Sequence, residues 1–218
     1  MELVVNGDRT ALARLLSVVE QGGEGAALTS ALVWPRGGRS YTVGITGAPG
    51  AGKSTLTGQL VSLARAGGDE IAVLAIDPSS PYTGGAILGD RVRMSDHFTD
   101  GGVFIRSMAT RGALGGLARA TFEVCDLLDA SGKDFVLVET VGVGQSEIEI
   151  VRVADTTVVI LSPESGDGVQ AMKSGLMEIA DVFVINKADR PGADALETQI
   201  RSSFELSTAR RAPDLFQT

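Results

Sequence analysis

The chain has 218 residues with a net charge of -8, of which 44% are hydrophobic and 21% charged, a size and balance that suit one globular domain folding around its own core. The acidic balance argues against a surface drawn to nucleic acid or anionic lipid, and no run of Lys and Arg supplies a local exception. One Cys and one His exclude an internal disulfide and a His/Cys cluster for zinc or nickel.

Met1 to Asn6 has neither a basic start nor a long apolar stretch, so no secretory signal is expected. No apolar run approaches the ~20 residues of a membrane span, and a cytoplasmic location is the default expectation. Asp8 to Glu20 places Leu12, Leu15, Leu16 and Val19 on one helical stripe. The glycines of Gln21 to Gly25 break it, a second short helix runs to about Val33, and Trp34 to Arg39 reads as a linker. Residues 1–39 are thus expected to be a helical appendage to a domain spanning 40–218, not an independent unit. From Ser40 strand and helix alternate. Strands are expected at Tyr41–Thr46, Ile71–Ile76, Val103–Arg106, Phe135–Glu139, Thr157–Leu161 and Val182–Asn186. Helices fit at about Lys53–Ala66, Gly116–Ala130, Gly168–Ile179 and Ala193–Phe204. Repeated βα units imply an α/β fold of three layers, a mostly parallel central sheet with helices on both faces. Such sheets bind ligands at the carboxyl ends of their strands. Cys125, inside an apolar helical pattern, is expected to be a core thiol, and His97 a loop residue.

Gly47-Ala48-Pro49-Gly50-Ala51-Gly52-Lys53-Ser54 matches G-x-x-x-x-G-K-[ST], with a strand before it and a helix after it. Glycines let the backbone wrap a phosphate, with amide N–H groups and a helix N-terminus directed at it. Lys53 supplies a charge to the β- and γ-phosphates, Ser54 a hydroxyl for Mg²⁺, and Thr55 continues the phosphate-binding turn. Far downstream, Asn186-Lys187-Ala188-Asp189 follows the apolar run Val182–Ile185. A carboxylate at Asp189 can accept from N1–H and the 2-amino group of guanine. Adenine offers neither donor, and a site built around a polar partner strongly rejects the analogue lacking it. The pair of motifs therefore points to GTP and GDP.

Between them stand acids for a metal. Asp77 ends one apolar strand and Glu139 another, the place where a phosphate-binding fold carries its metal-directed acid, and Asp90 lies between. Mg²⁺ uses few carboxylates and keeps waters, so not all three need touch it. Asp77, before Pro78-Ser79-Ser80, could equally hold a turn. Gly142 and Gly144 would let the loop after Glu139 move when a γ-phosphate arrives or leaves.

These strings together resemble a family. Asp77 to Met94, Leu114 to Thr121 and Glu139 to Glu147 are similar to the methylmalonyl-CoA mutase-associated GTPases of the MeaB/ArgK type, with likeness running from about Gly7 to about Gly192. The resemblance implies a G-protein chaperone of the SIMIBI class of P-loop NTPases. Such proteins use GTP binding and slow hydrolysis to gate cofactor loading and protection of an adenosylcobalamin-dependent acyl-CoA mutase. It also implies that Ser54, Asp77, Asp90 and Glu139 form the Mg²⁺ neighbourhood, and that Arg93 is a switch arginine near the phosphates. Gln170 and Lys173 would belong to a further switch that communicates with the mutase; read from the residues alone, Lys173 is a solvated helix charge. The sequence departs from the family at Glu164, where the family tends to be small and uncharged. The segment that usually completes the guanine pocket and the helical extension through which members form homodimers are not found in these 218 residues, so the family's homodimer is not carried over.

Hydrolysis would proceed by in-line attack of water on the γ-phosphate, with Mg²⁺ and Lys53 neutralising charge and Gln145 or a partner orienting the water. Two rivals are a metal-insertion GTPase, which needs a His/Cys-rich site this chain cannot build, and a kinase linked to amino-acid transport. A binding module with a dead nucleotide site is opposed by the intact Lys53, Ser54 and Glu139.

Overall fold

In the computed structural model the described residues are 1–77, 97–109, 116–140, 149–163 and 175–211. Six strands form one parallel sheet: β1 Tyr41–Gly47, β2 Ile71–Asp77, β3 Val103–Ala109, β4 Phe135–Thr140, β5 Thr156–Leu161 and β6 Val182–Ile185. Their order is β3-β2-β4-β1-β5-β6, which puts β1 at the centre between β4 and β5. The α/β class and all six strands read from the sequence are present; five differ from expectation by one residue at one end, and β3 runs three residues beyond the expected Arg106.

β2 shows why. Its residues Ile71 to Leu74 are all fully buried, because a parallel strand is covered on both faces and needs apolar side chains on each. Successive side chains point to opposite faces. Ala72, Leu74 and Ile76 join a core with α5 (Gly116–Ala130), whereas Ile71 and Val73 join a core with α4 (Lys53–Gly67). Helices therefore flank the sheet on both sides, α4 on one face and α5 on the other.

Before β1 come α1 (Glu2–Val5), α2 (Arg9–Gln21) and α3 (Gly23–Val33). Asp8 caps α2, its Oδ1 accepting from the amides of Thr10 at 2.8 Å and Ala11 at 2.9 Å. The expected stripe is the buried one: Leu12, Leu16 and Val19 pack with Val124, Leu127 and Leu128 of α5, and Leu15 lies partly buried against them. Arg9 donates to the carbonyls of Asp100 and Val103 at 3.0 and 2.8 Å, and Arg106 of β3 pairs with Glu20 at 2.8 Å. These polar bonds join the first helices to one edge of the sheet. α1 was not expected, and the linker contains a 3-10 turn at Trp34–Arg36. The linker is held by Asp129 of α5, whose carboxylate accepts from the amides of Gly38, Arg39 and Ser40. Cys125 lies in the α5 core, as its pattern implied, and burial pushes its thiol well above the usual range.

The last described elements are α6 (Leu176–Ile179) and α7 (Ala193–Arg211), which pack with β5 and β6 in a third cluster. The helix expected from Gly168 falls mostly outside the described residues; α6 is its final turn, entered through Gly175 at φ 77°. α7 runs seven residues beyond the expected Phe204. Among the described residues no helix is long and apolar enough to cross a membrane.

Candidate functional site

The site forms at the carboxyl end of the central strand. β1 leaves the sheet at Gly47, where φ is 136° and the register sets the residue opposite Ile160 of β5. A Cβ at Gly47 would overlap the Ile160 carbonyl, so only glycine fits this approach of two backbones. The loop Ala48-Pro49-Gly50-Ala51 then turns, its Ala51 amide donating to the Ala48 carbonyl at 3.2 Å. Gly52 caps α4 in the left-handed region at φ 98° and brings no side chain to the first turn of that helix. Backbone amides at such a helix start are anion-binding groups. Lys53, Ser54 and Thr55 form that turn, with Thr55 exposed.

Lys53 is only 6% exposed, and its Nζ donates to the carbonyls of Gly47 at 2.8 Å and Ala48 at 3.0 Å. The ammonium is thereby folded back across the loop instead of reaching into solvent. Facing α4, Glu139 rises from β4 between β1 and β2, opposite Ile45 on one side and Ala75 on the other. It is 2% exposed. Its Oε1 accepts from the Ser54 hydroxyl at 2.6 Å and its Oε2 from the Thr57 hydroxyl at 2.9 Å. Bonds to a carboxylate in such burial offset its desolvation. Beside it, the Thr140 hydroxyl donates to that of Thr46 at 2.9 Å.

β6 delivers the second motif to the same edge. The Asn186 amide N–H bonds the Leu161 carbonyl at 2.8 Å, and its side-chain Nδ2 donates to the Ala51 carbonyl of the phosphate loop, also at 2.8 Å. Room for this amide is another reason for Gly52, where a Cβ would collide with it. Lys187 has φ 56°, uncommon for a residue with a side chain, and its carbonyl accepts from the Arg190 amide at 3.0 Å. This turn leaves Asp189 exposed.

The structure therefore brings together the loop from Gly47 to Ser54, Glu139 and Asn186. Asp77 closes β2 at the same edge, its backbone paired with Ala109. Asp90, Arg93, Gln145, Gln170 and Lys173 lie outside the described residues. Thr57 was missed by the sequence reading; its signal was its position three residues after Ser54, which shares a helical face. Ser54 and Glu139 are hard oxygen donors, and that chemistry fits Mg²⁺. Among the described residues no group of three or more His, Cys, Asp or Glu could hold a metal by itself.

The family described as methylmalonyl Co-A mutase-associated GTPase MeaB matches residues 12–215. The chain belongs to this MeaB family. A Pyrococcus abyssi protein named as a GTPase is 55% identical over 208 residues, covering 95% of this MeaB-family chain and 64% of the relative. The mouse mitochondrial methylmalonic aciduria type A homolog is 43% identical over 150 residues, 69% of this chain and 36% of that one. Among solved structures, a LAO/AO transport system kinase superposes with a TM-score of 0.66 at 32% identity, covering the whole of this chain and 63% of its own. This MeaB-family chain thus spans a little under two thirds of the first relative it matches.

Proposed function

We propose that the chain binds GTP with Mg²⁺, hydrolyses it to GDP and phosphate, and acts as a switch gating cofactor loading or protection of an adenosylcobalamin-dependent acyl-CoA mutase. The observation that carries the nucleotide part is the Asn186 side chain on the Ala51 carbonyl. Through that bond the guanine motif and the phosphate loop are one unit, so a base on Asp189 and phosphates on Gly47–Ser54 are read together. The family description supports the mutase, and so does the name of the mouse relative.

In this reading the loop amides and the α4 N-terminus cradle the phosphates, and Lys53 turns its ammonium from the Gly47 and Ala48 carbonyls to the β- and γ-phosphates. Ser54 and Glu139 hold the Mg²⁺ side, with Asp77 and Asp90 completing its surroundings. When bound, the ion supplies charge neutralisation on the phosphate oxygens. Arg93 serves the phosphates from a switch, Gln145 orients the attacking water, and Gln170 and Lys173 face the mutase. Phosphoryl transfer relies on positioning and charge stabilisation, so turnover of the chain alone is slow and a partner that fixes the switches accelerates it. A phosphate passed onward to a protein, as the name of the solved transport system kinase would suggest, predicts acceptor-dependent release instead.

Calorimetric titration with GDP, a non-hydrolysable GTP analogue and ADP, each with Mg²⁺ and with EDTA, tests the reading. Guanine-only binding is expected, with Mg²⁺ needed for the triphosphate, and Asp189→Ala should abolish the preference over adenine. ADP binding as tight as GDP binding overturns it. Co-sedimentation with a cobalamin-dependent mutase, with and without the GTP analogue, tests the client.

A further inference from the structure

Glu139 is held by two hydroxyls of one helix, and only one of them belongs to the phosphate-loop motif. Ser54 and Thr57 are three residues apart on α4 and so share the face turned toward β4. Thr57 is fully buried. Its single hydroxyl proton has two acceptors within reach, Glu139 Oε2 at 2.9 Å and the Lys53 carbonyl at 3.0 Å. The bond back to a carbonyl one turn earlier is an ordinary one for a helical threonine. A carboxylate is the stronger acceptor, however, and Glu139 at 2% exposure depends on such donors.

Resting on the Mg²⁺–GTP reading above, we propose that Thr57 is a positioning residue that fixes Glu139 by Oε2 and so presents Oε1 to the metal side of the site. The two hydroxyls then have different duties. When Ser54 turns a lone pair of its oxygen toward a cation, its hydroxyl serves both that ion and Oε1, whereas the Thr57 hydroxyl stays on Oε2. Thr57 keeps the carboxylate from rotating at that moment, and Glu139 meets the incoming cation already oriented. Partners that orient a metal's ligands without touching it commonly change metal affinity by about 10-fold or more when removed.

The test compares the full chain with Thr57→Val, which keeps the shape and loses the hydroxyl, and Thr57→Ser, which keeps the hydroxyl. The readout is the Mg²⁺ concentration giving half-maximal binding of a non-hydrolysable GTP analogue. GDP binding in EDTA and the thermal midpoint are followed alongside. Thr57→Val is expected to raise the half-saturating Mg²⁺ about 10-fold, a larger change than its loss of GDP affinity in EDTA, and Thr57→Ser to restore most of the difference. An unchanged Mg²⁺ requirement in Thr57→Val would mean that the hydroxyl serves only the Lys53 carbonyl, and overturns the proposal. Equal losses with Mg²⁺ and in EDTA overturn it too, since they describe a damaged loop. A wild-type chain whose GTP-analogue binding ignores Mg²⁺ removes the underlying reading, and is recognised before any substitution is made.

Discussion

Gly47 shows how one residue can be fixed by a partner far away in sequence. Motif logic asks for glycine so that the loop can approach a phosphate; the structure adds that Gly47 is pressed against the Ile160 carbonyl at φ 136°. Neither an altered rotamer nor a shifted side chain can relieve an overlap with backbone. Gly47→Ala is therefore expected to cost about 1–3 kcal/mol of stability, the range for a residue forced into such a backbone region, and to abolish guanine-nucleotide binding. Urea unfolding and calorimetry on the same variant would check both. Gly50→Ala, at φ 80° but with nothing within 4 Å of the added carbon, should be milder by the first measure. Asn186 belongs to the same scale. Its motif announced a base-reading turn, whereas its grip on Ala51 depends on β6 and β1 ending at one edge, which no local pattern reveals.

At the scale of elements, α2 illustrates which local signals suffice. Asp8 stands at its start and an apolar stripe runs along it, and both act as the spacing implied. Asp8→Ala leaves the Thr10 and Ala11 amides without their acceptor and should lower stability by about 1 kcal/mol, read as a fall in the urea midpoint with the slope unchanged. The strands were equally legible, because a sheet covered on both faces demands unbroken apolar runs such as Ile71–Ile76. Shorter pieces were not. α1 is four residues long with one buried side chain, Val4, and so carries no period to detect. The 3-10 turn at Trp34–Arg36 lies in a linker anchored by Asp129, some 90 residues on in the chain. Thr57 escaped notice for a similar reason: its helical position was plain, but its partner on β4 is a tertiary fact.

Across the whole molecule, the acidic balance becomes local at the end of the sheet remote from the nucleotide loop. A cavity of about 450 Å³ lies among Trp34, Phe122, Thr42 and the carboxylates Asp126, Asp129 and Asp155. Burial, and then the neighbouring Asp129 and Glu123, raise the Asp126 carboxyl above the usual carboxylate range. The folded carboxyl holds its proton more tightly than the unfolded one, so ionising it opposes folding. That cost is absent below the ordinary aspartate range and sets in as pH rises through the raised value. Asp126→Asn should therefore stabilise the protein at neutral pH, with the gain disappearing at about pH 3, where both states are protonated. Urea midpoints of wild type and variant at the two pH values would show it, and a gain that persists in acid would contradict the assignment. The strand order has a further consequence, for how the chain is made. β1 leaves the ribosome before either neighbour, since β4 ends at Thr140 and β5 at Leu161. β2 and β3 are consecutive strands and can pair early, but the first strand must wait for two later ones to close around it. Until Ile160 has emerged, Gly47 has no carbonyl to rest against, and the growing chain carries an unpaired strand at what will become the centre of its sheet.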